Sequence, residues 1–214
     1  ATAIWSNALN DLLAYVEPLG VKLFYFPIGQ DLVNFDNVEG STTAGTPQDN
    51  DGRYAKVIDT AYWSLVEAVD RFASTAKVEA EYVAGNHDLT VSYHLCRELK
   101  RHYRHTDRVE VGIDFRKRKY RRHGVNLIGT THAENVPRKW DNLPTIMATE
   151  AAEDWAATVH HEWLLGHEHT SQKRETLPVM ERGGVICRTM RSLSGQDFWH
   201  YDKGYLSKRA AEVY

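Results

Sequence analysis

Glu81-Tyr82-Val83-Ala84-Gly85-Asn86-His87-Asp88 is the stretch that sets the fold class of this 214-residue chain. A short apolar run, Tyr82 to Ala84, reaches a glycine. An amide, an imidazole and a carboxylate then follow in a row. Glycine permits the tight turn that such a strand end needs. Polar groups of this kind are costly to place at a buried strand end for packing alone. In open α/β sheets the carboxyl ends of strands face the crevice where ligands bind. The stretch therefore predicts an α/β fold with chemistry at its strand ends.

Three other stretches repeat the design. Val21 to Ile28 is apolar and runs through Gly29-Gln30 to Asp31. Leu127-Ile128-Gly129 is followed by Thr130-Thr131-His132, and Leu164-Leu165-Gly166 by His167-Glu168-His169. Four apolar runs, each ending in glycine and then Asp, Asn or His, predict a metal centre assembled from strand ends.

Bulk properties narrow the class. Hydrophobic content of 42% and charged content of 26% are those of an ordinary globular protein, and the length suits one α/β domain. A net charge of -3 gives no global attraction to nucleic acid or membrane. No run approaches the roughly 20 apolar residues of a membrane span, and no charged-then-apolar leader opens the sequence. Cys96 and Cys187 lie far apart without a CxxC, which fits two reduced, packed thiols in a cytoplasmic protein.

Periodicity predicts a helix from Ala1 to Tyr15, closed by Pro18 and Gly20, and a strand from Val21 to Ile28. A loop spans Phe35 to Asp51. A helix from Arg53 to Ala73 follows, with Ala55, Ile58, Trp63, Val66, Val69 and Phe72 on or near one face. Val78 to Ala84 is a strand and Ser92 to Tyr103 a helix. Val109 to Phe115 and Lys119 to His123 are strands around a basic turn, and Val125 to Gly129 is another. Leu143 to Ala151 and Asp154 to His161 are expected to be helical, with Trp163 to Leu165 a strand. Val179 to Arg182 and Val185 to Met190 form a hairpin about Gly183-Gly184.

Gly85-Asn86-His87-Asp88 followed by Gly166-His167-Glu168-His169 resembles the calcineurin-like metallophosphoesterase superfamily. Gly29 to Asn37, Thr43 to Gly52 and the tail from Ser192 to His200 are most similar to its phage and prophage-encoded branch. The resemblance runs from about Phe24 to the C-terminus. It implies a four-layer sandwich, two mixed β-sheets flanked by helices, forming one domain over residues 1–214. It also implies two divalent ions, Mn²⁺ favoured, with Fe, Zn²⁺ or Mg²⁺ as alternatives. Asp31 would bridge the ions, Asn86, His132 and His167 would complete one site, and His169 would bind the other. An attacking hydroxide would open the phosphoester. His87 would protonate the leaving alcohol or stabilise the transition state, oriented by Asp88. Asn34 and Asp36 would contact substrate or support the ligands. The superfamily pattern begins with Asp-x-His on a first strand. No Asp-x-His precedes Asp31 here, and the expectation is a domain lacking that strand.

Arg116-Lys117-Arg118-Lys119 with Arg121-Arg122-His123 is a charge run around Tyr120. It fits a solvated turn, or a contact to nucleic-acid phosphates through residues such as Arg118 and Arg121. Phe198, Trp199, Tyr201 and Tyr205 either finish a core or stack on bases. The expected activity is phosphodiester hydrolysis, with DNA or RNA as candidate substrates. A phosphomonoesterase and a non-catalytic metal- or partner-binding relic are the alternatives.

Overall fold

The structure, a computed structural model, describes residues 2–50, 52–134, 140–167, 179–194 and 209–214. The chain divides into two compact units, residues 1–116 with Val213, and residues 117–212 with Tyr214. The basic run therefore straddles the boundary between the units.

The first unit contains α1 (Thr2–Val16), β1 (Leu23–Gly29), α2 (Tyr54–Thr75), β2 (Lys77–Val83), α3 (Leu89–His102) and β3 (Val109–Gly112). Its three strands are parallel, in the order β1-β2-β3. Parallel neighbours need long crossovers, and α2 and α3 supply them. Val78, Ala80 and Tyr82 of β2 are buried, together with Leu65, Val66, Val69 and Phe72 of α2 and Leu95, Cys96 and Leu99 of α3. Helix α1 is tied to α2 where the Trp5 indole donates to the Ser64 carbonyl at 3.0 Å. Trp63 departs from the expected pattern. It lies off the buried face of α2 and is 60% exposed.

The second unit contains β4 (Lys119–His123), β5 (Asn126–Thr131), α4 (Leu143–Glu150), α5 (Ala152–Ala156), β6 (His160–Leu165), β7 (Val179–Arg182) and β8 (Val185–Thr189). The five strands are ordered β4-β5-β6-β8-β7. β5, β6 and β8 run parallel, and β4 and β7 are antiparallel edges. Trp163 fills the core with Leu127, Leu143, Met147, Leu165 and Val185, and its indole donates to the Leu143 carbonyl at 3.1 Å. Both cysteines are buried, and neither forms a disulfide. No helix among the described residues is long and apolar enough to cross a membrane.

Several bounds differ from those expected: β3 ends at Gly112 rather than Phe115, α3 begins at Leu89 rather than Ser92, and β6 begins at His160 rather than Trp163. The helix expected over Asp154 to His161 is only α5, which ends at Ala156, and His160 already belongs to β6. The Thr158 hydroxyl donates to the Asp154 carbonyl at 2.7 Å and occupies an acceptor at the end of α5. The two strands flanking the basic turn, β3 and β4, belong to different sheets.

Candidate functional site

In the first unit the register brings the ends of β1 and β2 together. Gly29 pairs with Val83, and the Gln30 amide donates to the Val83 carbonyl at 3.0 Å. Gly29 has φ of 114°, and a Cβ there would lie 2.2 Å from the Val83 oxygen. Gln30 and Asp31 follow with φ of 56° and 70°. Left-handed backbone is uncommon outside glycine and costs free energy that the surroundings must supply. The Asp31 side chain is fixed by that turn. Its Oδ1 accepts the Asn86 amide at 2.9 Å and the His87 amide at 2.8 Å. Gly85 makes the approach possible, because a Cβ there would stand 2.3 Å from Asp31 Oδ1 and 2.4 Å from its backbone nitrogen. Asp31, Asn86 and His87 are all partly exposed.

The Asp88 side chain turns inward. Its carboxylate is fully buried, Oδ2 accepts the Val33 amide at 3.0 Å, and Oδ1 has no hydrogen-bond partner among the described residues. Burial, and after it the Asp31 and Asp36 carboxylates, push its acid up to about 7. Asp88 occupies the N-cap position of α3 without capping it through its side chain. Asp36 does that from the preceding loop, with Oδ1 accepting the Thr90 and Val91 amides at 2.7 and 2.8 Å. The Thr43 hydroxyl donates to Asp36 Oδ2 at 2.9 Å and accepts the Leu89 amide at 3.2 Å. The long loop is thus anchored on the start of α3, a device that no motif in the sequence announced. Asn34, exposed, donates to the Asp49 carbonyl at 3.0 Å.

In the second unit β5 and β6 are parallel neighbours with Thr131 opposite Leu165, and the Gly166 amide extends the ladder to the Thr131 carbonyl at 3.2 Å. The next side chains along each strand are His132 and His167. His132 Nε2 and His167 Nδ1 stand 3.1 Å apart, with the rings edge to face at 4.9 Å. Ala133 and His167 have φ of 65° and 67°. The left-handed positions outside glycine, among the described residues, therefore all fall at these strand ends. The 3.1 Å contact has the geometry of a hydrogen bond between the two rings. Two imidazole nitrogens bound to one ion at about 2.1 Å stand roughly 3.0–3.4 Å apart, from right-angle to tetrahedral coordination, so the same placement also suits a shared ion. His169 lies outside the described residues, as do Phe198, Trp199, Tyr201 and Tyr205.

The basic run is largely matched by acids. Arg116 pairs with Asp114, and Lys117 with Glu134. Arg118 forms a fork on Glu150, at 2.8 Å from Nε to Oε2 and 2.5 Å from Nη2 to Oε1, and the Tyr120 hydroxyl donates to the same carboxylate at 2.7 Å. Arg122 lies 3.9 Å from Asp154, and Arg121 is partly buried on β4. The run therefore takes the form of a solvated, ion-paired turn and strand, with Arg118 turned onto the second unit's own helix α4.

No family model matches the chain, and neither does any curated protein or solved structure.

Proposed function

We propose that this chain is a metal-dependent phosphoesterase of the calcineurin-like type, acting on phosphodiesters. The single observation that carries the proposal is the His132–His167 pair, whose nitrogens stand 3.1 Å apart at the ends of adjacent parallel strands. Asp31 and Asn86 of the first unit would offer the carboxylate and amide oxygens that join them in the proposed centre. Mixed imidazole, carboxylate and amide donors suit Mn²⁺, Fe or Zn²⁺ better than Mg²⁺, and we favour Mn²⁺. A second ion would share Asp31 and use His169. The two sheets would then be the halves of the four-layer sandwich. Two reduced thiols fit a cytoplasmic setting, the host's if the chain is phage-encoded.

Bound ions would polarise the phosphoryl oxygens and lower the pKa of a water nucleophile. The chain's own residues have distinct tasks. Asp31 is held in one direction by two amides, so a ligand oxygen is presented without reorganisation. His87, on the same turn, would give a proton to the departing alcohol. Asp88 would hold that turn against the β1–α2 loop through Val33.

The test is hydrolysis by the Mn²⁺-loaded protein. Bis-p-nitrophenyl phosphate should be cleaved, and His167→Ala should lose at least a hundredfold in kcat/KM. No cleavage of the diester or of single-stranded DNA overturns the proposal. The ion pairs of Lys117 and Arg118 favour a phosphomonoesterase as the second reading, because they occupy cations that a nucleic acid would otherwise contact. A faster rate on p-nitrophenyl phosphate than on the diester selects it.

A further inference from the structure

The C-terminal half of α3 and the turn after it concentrate positive charge. Residues 97–108 hold five basic side chains, Arg97, Lys100, Arg101, Arg104 and Arg108, against two acids, Glu98 and Asp107, in a chain of net charge -3. Arg97, Arg101 and Arg104 line an open groove of about 750 Å³ with Tyr62, His94, Glu98 and His102. None of the three arginines forms an ion pair with a described residue. Arg97 lies over the Tyr93 ring at 5.8 Å, and Arg104 donates to the Arg101 carbonyl at 2.8 Å.

Trp63 stands beside this groove. Its ring meets Tyr62 edge-on at 5.2 Å and His102 at 6.5 Å. The Tyr62 hydroxyl and His102 Nδ1 are 2.8 Å apart, which steadies both rings behind the indole. On its other side Trp63 lines a second groove along α2, of about 570 Å³, together with Arg53 and Lys56 and the acids Asp59 and Glu67. Glu67 is already engaged, by the Ser6 hydroxyl at 2.8 Å and by Arg71 at 3.3 Å. An exposed, braced indole thus separates two grooves that both carry cations.

Ordinary packing accounts for part of this. Lys100 and Arg101 complement the carboxyl end of the α3 dipole, and a lone exposed apolar residue is normal. Neither accounts for Arg97 in the middle of the helix, Arg104 beyond its end, or an indole backed by two further rings. Planar faces interleaved with guanidinium groups are how single strands are bound without sequence preference, bases stacking on rings and phosphates meeting cations. A duplex hides the base faces, and the carboxylates of an acidic peptide would meet the cations but supply no stacking partner for the indole at each step, as the bases of a single strand do.

We propose that this face of α2 and α3 binds single-stranded nucleic acid, with Trp63 stacking on a base and Arg97, Arg101 and Arg104 contacting phosphates. Arg97 and Arg101 lie about 12 and 18 Å along α3 from Leu89, the residue that follows the Asn86–Asp88 turn. The surface requires nothing of the metal centre.

Fluorescence anisotropy with fluorescein-labelled dT20 and rU20, in EDTA so that neither is cut, tests the proposal on the full chain. Both should bind at 50 mM salt, their relative affinities naming the preferred sugar. Trp63→Ala should weaken binding about tenfold or more. Arg97→Ala with Arg101→Ala should flatten the plot of log affinity against log salt by about 1.4, near 0.7 for each phosphate no longer neutralised. All three side chains are exposed, so circular dichroism should be unchanged, and turnover of bis-p-nitrophenyl phosphate should stay at the wild-type level. A loss of that turnover in His167→Ala concerns the metal centre alone, which keeps the two proposals separable. Oligonucleotide binding that is absent in the wild type, or indifferent to Trp63→Ala, overturns this one. So does heparin binding as tightly as dT20, or loss of binding on Arg118→Glu with the α3 arginines intact.

Discussion

Gly85→Ala is the substitution whose consequence the geometry fixes most closely. Gly85 does not have a positive φ, so the backbone conformation itself accepts alanine. The obstacle is contact. The added methyl would lie 2.4 Å from the Asp31 nitrogen, 2.3 Å from Asp31 Oδ1 and 2.8 Å from Asp88 Oδ1. The first is main chain and cannot rotate away, so the 30–31 turn must retreat by about 1 Å to reach ordinary contact distance. That movement stretches both amide bonds to the Asp31 carboxylate. Overpacking in a fitted site costs about 1–3 kcal/mol, and weakening charge-assisted hydrogen bonds adds about 1 kcal/mol more. Reduced freedom of the unfolded chain returns about 0.4–1 kcal/mol. The net expectation is a loss of roughly 2 kcal/mol, or about 4–8 °C in Tm for a protein of this size. Urea denaturation followed by circular dichroism gives the free energy, and Mn²⁺ titration of the same variant reports weakened affinity. A midpoint within the error of wild type, with Mn²⁺ affinity kept, would refute the close fit between Gly85 and Asp31.

Asp36→Ala removes the acceptor for the Thr90 and Val91 amides, and should cost about 1–2 kcal/mol in urea unfolding, as loss of a helix cap does. In metal-free protein the folded state keeps Asp88 protonated up to about pH 7, while the unfolded chain releases that proton near pH 4. Stability in EDTA should therefore be full below pH 4 and fall by up to about 4 kcal/mol as pH rises to 7, and Asp88→Asn should flatten the profile. Trp63→Ala, at an exposed position, should change unfolding free energy by less than about 0.5 kcal/mol.

Much of this architecture is legible because glycine and apolar runs mark strand ends directly. The strands that precede Asp31, Asn86, His132 and His167 lie close to where the sequence put them, because the apolar residues and the glycine at each end mark them, although burial along them is not continuous: of β1 only Ile28 is buried, and β2 alternates. What escaped the sequence depends on contacts between distant residues. Asp36 reads as a loop carboxylate, and only the fold of the loop shows that it caps α3 across more than fifty residues. Asp88 reads as the partner of its neighbour His87, yet the turn aims it inward at Val33. Trp63 falls near the apolar stripe of α2, and helical periodicity alone cannot separate a buried position from the rim beside it. The end of α5 was hidden because Thr158 closes the helix through a side-chain bond that carries no periodic signal.

Metal content is the most direct measure of the central claim. Elemental analysis of the protein after Mn²⁺ loading and desalting should find at least one ion per chain. His132→Ala and His167→Ala, each checked for native circular dichroism, should both lose it. A wild-type chain that holds no ion, or variants that hold as much as wild type, would contradict a metal centre built on these strand ends.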